Sequence, residues 1–207
     1  ITMSFTPTLL AMLADPLLQA RYVHHLDQLI ELSAKEVQRT RWLPPFHRLA
    51  LFYHHRFTAA KRHYVEECRR NLIQPFRELA DRGCLEPIAS CATHGYLPLM
   101  DTQRAAVRAQ IHLGVKAFEH AFGRPPVGFW LPECGYHPGH DVYLKECGVR
   151  YFLTDAHGIL FGSPRPKYGV YAPVLCPSSG VAAFGRDLES SKSVWSAEEG
   201  YPGDAAY

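Results

Sequence analysis

The sequence predicts an α/β protein in which parallel strands form a sheet and helices pack outside it. Three observations lead there. Short, nearly continuous apolar runs mark strands buried on both faces. Longer stretches between them place apolar residues at helical spacing. The two kinds of segment alternate in the order strand, helix, strand, helix, strand, which a parallel sheet with crossover helices requires. An open doubly wound sheet and a closed β/α barrel both satisfy that order.

The elements follow in order. "ITMSF" reads as a short buried strand ended by Thr6-Pro7-Thr8. Thr8 is a candidate cap for a short helix, "LLAMLAD", and Pro16 fits the first turn of the next. From Leu17 to about Val37, Leu18, Tyr22, Leu26, Leu29 and Ile30 recur at helical spacing. "WLPPFH" breaks this run, because Pro44-Pro45 cannot continue a helix. A long helical stretch is expected from about His47 to Asp81, kinked or broken at Pro75, with Gly83 as its C-terminal cap. "LEPIASCA" is a strand. Thr102 to Phe122 is an amphipathic helix with Ala106, Ile111, Val115 and Phe118 as its apolar stripe, and "GRPP" leads out of it. Val127 to Leu131 is the next strand, "PGHDVYLKECG" a short helix ending at Gly148, and "VRYFLTD" a strand. "GVYAPVLC" and "VAAF" are expected to be two more.

Length and composition narrow the function classes. The 207 residues suffice for one sizeable core and are too few for two ordinary domains. A formal charge of +2 argues against a dedicated nucleic-acid surface. Six cysteines without a CxxC pair argue against a zinc ribbon or a thioredoxin-type site, and read as reduced thiols of a cytoplasmic protein. "ITMSFTPTLLAMLADP" lacks the basic n-region of a signal peptide. No apolar run approaches the ~20 residues of a membrane span. No GxGxxG or P-loop string follows a strand, so no nucleotide cofactor is expected. The chain opens inside a strand without an initiator Met and stops at Tyr207, so truncation at both ends is expected.

Three strand-like runs end in polar residues of one character. "IASCATHGY" ends at His94, "VGFWLPECGY" delivers Glu133, and "RYFLTDAHG" ends at Asp155 and His157. In parallel α/β folds the ligand sits beyond the C-terminal strand ends. His94, Glu133, Asp155 and His157 are therefore expected around one mouth. Each has a plain alternative: Glu133 or Asp155 as a helix or turn cap, His94 as a structural histidine. A divalent cation is a rival ligand for such a set, but no HxH or HxxxH string joins the strand ends. Trp130, Tyr96, Tyr136, Trp195 and Tyr201 lie beside or after the polar ends and offer flat faces for sugar rings. For Trp130 the competing reading is core packing, since strand alternation sets it off from Glu133 unless Pro132 breaks the pattern.

At these residues the chain resembles a known family. "CATHGYLPLM", "GFWLPECGY", "YFLTDAHG" and "GRDLESSKSVWSAEEGYPGD" resemble glycoside hydrolase family 57, closest to its 1,4-α-glucan branching members; the family also holds α-amylases and 4-α-glucanotransferases. The resemblance covers nearly the whole chain and implies one (β/α)7-type barrel domain, of which residues 1–207 are part. It implies a retaining mechanism with Glu133 as nucleophile, His94 lining the donor subsite, and Trp195 and Tyr201 on a loop over the acceptor groove. Trp130, Tyr136, Asp155 and His157 complete the expected substrate contacts. No cofactor or metal is implied. The implied partner is an α-1,4-glucan such as glycogen or an amylose-like chain, with neither nucleic acid nor membrane involved. The family's opening HxHxP-type motif does not precede Ile1, and its general acid, an aspartate on a later strand, lies beyond Tyr207. Two readings from other classes stay open: a metal-dependent polysaccharide deacetylase and a catalytically silent glucan-binding module.

Overall fold

A computed structural model describes residues 1–205. They form two compact units, one of residues 1–8 with 86–205 and one of residues 9–85. The first contains a six-stranded sheet: β1 (Thr2–Phe5), β2 (Glu86–Ser90), β3 (Gly128–Trp130), β4 (Tyr151–Thr154), β5 (Val174–Leu175) and β6 (Ala182–Gly185). The spatial order is β1-β2-β3-β4-β6-β5. The first four pairings are parallel, so β2, β3, β4 and β6 all point their C-terminal ends the same way. Only β5 runs antiparallel, against β6. The expected strand "GVYAPVLC" shrinks to Val174–Leu175, because Gly169–Tyr171 form a 3₁₀ turn.

Apolar side chains on both faces of the inner strands explain the missing alternation in sequence; β1 departs from the expected buried strand, since Thr2, Met3 and Ser4 are exposed and only Phe5 is buried. Phe5, Ile88, Ala89, Phe129 and Phe152 are at most 2% exposed. The helices of this unit beyond residue 86 are α5 (Leu97–Met100), α6 (Arg104–Phe122), α7 (His140–Glu146), α8 (Ala156–Leu160) and α9 (Leu188–Trp195). They are preceded in the chain by α1 (Pro7–Ala14), α2 (Pro16–Arg39), α3 (Pro44–Arg62) and α4 (Ile73–Asp81). In α6, Ile111, Val115 and Phe118 face the core as expected; Ala106 is only half-buried, and Val107 takes its place at the start of the stripe. Phe122 at its end packs edge-on against Phe5, with ring centroids 4.9 Å apart. Gly114 lies where α6 meets β2: a Cβ there would fall 2.1 Å from the Ser90 carbonyl oxygen.

The second unit is helical. Pro7, not Thr8, opens α1, so Thr8 lies inside the first turn rather than capping it. Asp15 caps α2, accepting from the Leu18 amide at 2.9 Å, and Pro16 occupies the first position as expected. The helix ends at Arg39, and the prolines that forbid its continuation instead open α3. The expected break at Pro75 lies earlier. After a π-helical turn, His63–Glu67, Arg69 and Arg70 adopt positive φ, and Pro75 sits in the first turn of α4, where its missing N–H costs nothing. Gly83 follows α4 at φ +72, in the left-handed conformation that ends helices. Ser33 of α2 and His54 of α3 meet at 3.0 Å, and Tyr22 packs edge-on against Tyr64.

Among the described residues no helix is long and apolar enough to cross a membrane.

Candidate active site

The site begins at the C-terminal end of β2. There Cys91 is buried, and His94 turns back with φ +57, its amide donating to the Cys91 carbonyl at 3.4 Å. Gln110 of α6 fixes this loop from outside. Its side-chain oxygen accepts from the Thr93 amide at 3.0 Å, its amide nitrogen donates to Thr93 Oγ1 at 2.7 Å, and its carbonyl accepts from Ala92 at 2.9 Å.

β3 delivers Glu133 three residues beyond Trp130. Leu131 is still extended, and Pro132–Cys134 then close a tight turn. Glu133 (φ +51) and Cys134 (φ +55) both take the left-handed conformation. Residues with a Cβ there cost of order 1–3 kcal/mol each and persist only where the surroundings over-determine them. The surroundings here do so. The Cys134 amide donates to Leu131 and the Gly135 amide to Pro132, at 2.8 and 3.0 Å. The Cys134 carbonyl accepts both Thr154 Oγ1 and the Asp155 amide, at 3.1 and 3.2 Å. Ser90 Oγ ties β2 to β3 by donating to the Trp130 carbonyl at 2.9 Å. Gly135 lies under the Tyr96 ring, so close that a Cβ would sit 2.3 Å from it.

With its backbone fixed, the Glu133 side chain stands out of the loop, 70% exposed, and His94 Nε2 lies 3.7 Å from its Oε1. Two strand ends thus bring a carboxylate and an imidazole together, as expected from the sequence. The thiol of Cys134 behind them is pushed up chiefly by burial, with Arg186, Asp155 and Glu133 acting on it electrostatically.

Asp155 caps α8, accepting from the Ala156 amide at 2.7 Å. This plain role coexists with contacts at the mouth: His157 Nδ1 lies 3.5 Å from one carboxylate oxygen and Arg186 Nη2 3.7 Å from the other. Sequence reasoning passed over Arg186. It follows β6 as Asp155 follows β4, one residue past the strand, and its amide donates to the Thr154 carbonyl at 3.1 Å. The signal was available in "VAAFGR", where Arg186 is the first polar residue after an apolar run. Its guanidinium lies 5.6 Å from the centre of the Trp195 ring, and its Nε is buried without a hydrogen-bond partner.

The aromatic residues divide. Trp195 and Tyr201 are exposed, 71% and 55%. Trp130 is half-buried in β3. Tyr136 is engaged in packing: its ring stacks on Phe152 at 5.0 Å between centroids, and its hydroxyl donates to Asp141 Oδ1 at 2.9 Å. Burial, then the Asp141 carboxylate, pushes that phenol strongly up. Asp141 itself is held below the usual carboxylate range. Burial acts against ionisation, and hydrogen bonds from Ser179, Ser178, Tyr136 and the Gly139 amide outweigh it. Among the described residues, the side chains gathered as a metal could bind them are Asp101, His137 and His140, not the strand-end set.

Comparison with known proteins matches the sequence model of Glycosyl hydrolase family 57 to residues 5–202. The chain is 32% identical to a 1,4-alpha-glucan branching enzyme of Thermococcus kodakarensis, over all of this chain and 34% of that protein. Among solved structures, the alpha-amylase AmyC of Thermotoga maritima is 44% identical with a TM-score of 0.94. A branching enzyme of Pyrococcus horikoshii is 32% identical with a TM-score of 0.87. In both cases all of this chain is covered and 40% of the other. The chain therefore spans about a third of the curated relative's length and two fifths of these structures. Its α/β architecture, a parallel sheet with outer helices, is that of its (β/α)7-barrel relatives, and the chain belongs to glycosyl hydrolase family 57.

Proposed function

We propose that the chain carries the nucleophile of a retaining α-glucan-active site, with Glu133 as that nucleophile, and that the reaction is 1,4-α-glucan branching. The observation that carries the reading is the backbone at Glu133. A strained, over-determined turn at the end of a rigid strand holds an exposed carboxylate at the face where parallel α/β folds bind ligands.

The chemistry follows from that placement. Glu133 attacks the anomeric carbon of a bound glucan; the new C–O bond forms as the α-1,4 bond breaks, and a proton goes to the leaving oxygen. A retaining site needs its second carboxyl about 5–5.5 Å from the first to give that proton and later take one from the acceptor. If water accepts the glycosyl group the outcome is hydrolysis; if a glucan 6-hydroxyl does, it is a branch. His94, beside Glu133, is placed to bind a hydroxyl of the donor sugar. Asp155 and His157 are hydroxyl ligands further along the mouth. Trp195 and Tyr201 present exposed rings for the acceptor chain, and Trp130 a half-buried one. Tyr136 contributes by bracing the loop after Glu133. This reading makes the substrate a glycogen- or amylose-like glucan, and six cysteines without a CxxC pair support a cytoplasmic setting for its metabolism.

The alternative within the family is hydrolysis, favoured by the 44% identity to a protein named an alpha-amylase. Incubation of the full-length protein with amylose separates the two. Branching raises the α-1,6 proton signal and the chains released by a debranching enzyme while reducing ends stay nearly constant. Reducing ends that rise without new α-1,6 links would replace branching with hydrolysis.

A further inference from the structure

We infer that Asp101, His137 and His140 form a binding site for one divalent transition cation of the zinc class. The site does not depend on the proposed reaction. It joins the loop after β2 to the loop after β3. Asp101 follows α5, which opens one residue after Tyr96; His137 and His140 follow the Glu133 turn at the start of α7.

The geometry is that of a ligand set. His140 Nε2 lies 3.1 Å from Asp101 Oδ1, and His137 Nδ1 lies 3.7 Å from Asp101 Oδ2. One ligand atom from each residue falls within 4.8 Å of the other two. Ligand atoms on a tetrahedral ion with bonds of ~2.0–2.1 Å stand about 3.3 Å apart, so small side-chain rotations suffice to close on a cation. Two imidazoles and a carboxylate suit zinc better than calcium or magnesium, which prefer oxygen alone. Burial is graded as in an open site. His140 is 1% exposed, Asp101 21% and His137 46%, which leaves the fourth position to water.

The surroundings hold the ligands in place. Gly139 takes φ +102 between the two histidines and turns the chain so that both rings face Asp101. Asp141, the residue after His140, is fixed by Tyr136, Ser178 and the Gly139 amide. Two contacts oppose a cation: His137 Nδ1 lies 3.1 Å from the Pro138 carbonyl, a bond the exposed ring must give up by turning, and Arg104 Nε lies 3.9 Å from Asp101 Oδ2, on a side chain 72% exposed that can turn to solvent. Without metal, the same residues are a His–Asp contact network. With metal, they clamp the two loops that carry His94 and Glu133.

The test uses the full-length protein stripped with a chelator and dialysed. Zinc titrated by calorimetry should bind at one site per chain and raise the melting temperature. Cobalt(II) in its place should give the visible absorption of a four-coordinate ion. His137→Ala removes a partly exposed ligand with little risk to folding and should weaken zinc binding by ~100-fold or more, beyond what loss of an outer-shell partner costs. Asp101→Asn should weaken it as well. His55→Ala, on α3, should leave binding as in the wild type and so controls for surface histidines. Absence of saturable zinc binding would overturn the assignment, as would binding that His137→Ala and Asp101→Asn leave unchanged.

Discussion

At the scale of single residues, the site rests on backbone conformation more than on side-chain networks. Glu133 has no short hydrogen bond tethering its carboxylate; its position is set by φ and by the bonds around Cys134. Glu133→Gly should therefore relieve left-handed strain and raise thermal stability, by roughly 1 kcal/mol, while abolishing turnover. A variant of lower stability would show that the turn is held by the side chain instead. Cys91 makes a second case. Burial pushes its thiol up to about 12, whereas Cys84 is exposed. Iodoacetamide at mildly alkaline pH should label Cys84 in the native protein and Cys91 only after denaturation, as read by peptide mass. Native labelling of Cys91 would mean that the end of β2 opens readily.

At the scale of elements, the loops are pinned from outside by the next helix. Gly114→Ala tests this on α6. Alanine gains about 1 kcal/mol of helix propensity over glycine. Here its Cβ, fixed to the α6 backbone, would meet the backbone carbonyl oxygen of Ser90 at 2.1 Å, and neither partner can swing away. Overpacking of that kind costs ~1–3 kcal/mol, so we expect net destabilisation in denaturant titration; a stabilised variant would show that α6 shifts freely on β2. Asp141→Ala tests the neighbouring loop. It removes the acceptor of the half-buried Tyr136 hydroxyl, the Gly139 amide and Ser178 Oγ, leaving the phenol only Cys176 Sγ at 3.8 Å, and should cost ~1–3 kcal/mol. Unchanged stability would mean that water satisfies these donors. Elements like these were legible in sequence where one signal dominated: apolar runs for β2 to β4, spacing for α2 and α6, glycine for the ends at Gly83 and Gly148. Proline misled, because it forbids helix interiors and favours helix starts. Pro7, Pro44 and Pro75 all lie in first turns, so Pro75 marked a beginning rather than a kink.

At the scale of the molecule, four parallel strand ends supply His94, Glu133, Asp155 and Arg186, and the parallel order makes one face out of segments nearly a hundred residues apart in sequence. The strand-end rule alone therefore makes three of these positions legible. It missed Arg186 because a cation after a strand carries no chemistry of its own until Asp155 and Trp195 are placed beside it. It placed Tyr136 by proximity to Glu133, whereas the ring's direction depends on Phe152 and Asp141, which no spacing reveals. The pairing of Asp101 with His137 and His140 was hidden for the same reason: its members come from two loops. The central claim is that Glu133 acts as nucleophile, and one measurement tests it most directly. Glu133→Gln keeps shape and hydrogen bonding but removes the anion, so no glycosyl ester can form. In the full-length protein, glucan transfer and hydrolysis should fall together by several orders of magnitude, with the melting temperature unchanged or higher and glucan affinity nearly constant. A mutant that turns over near the wild-type rate and instead loses about 1 kcal/mol of stability, as a structural cap would, would contradict the account.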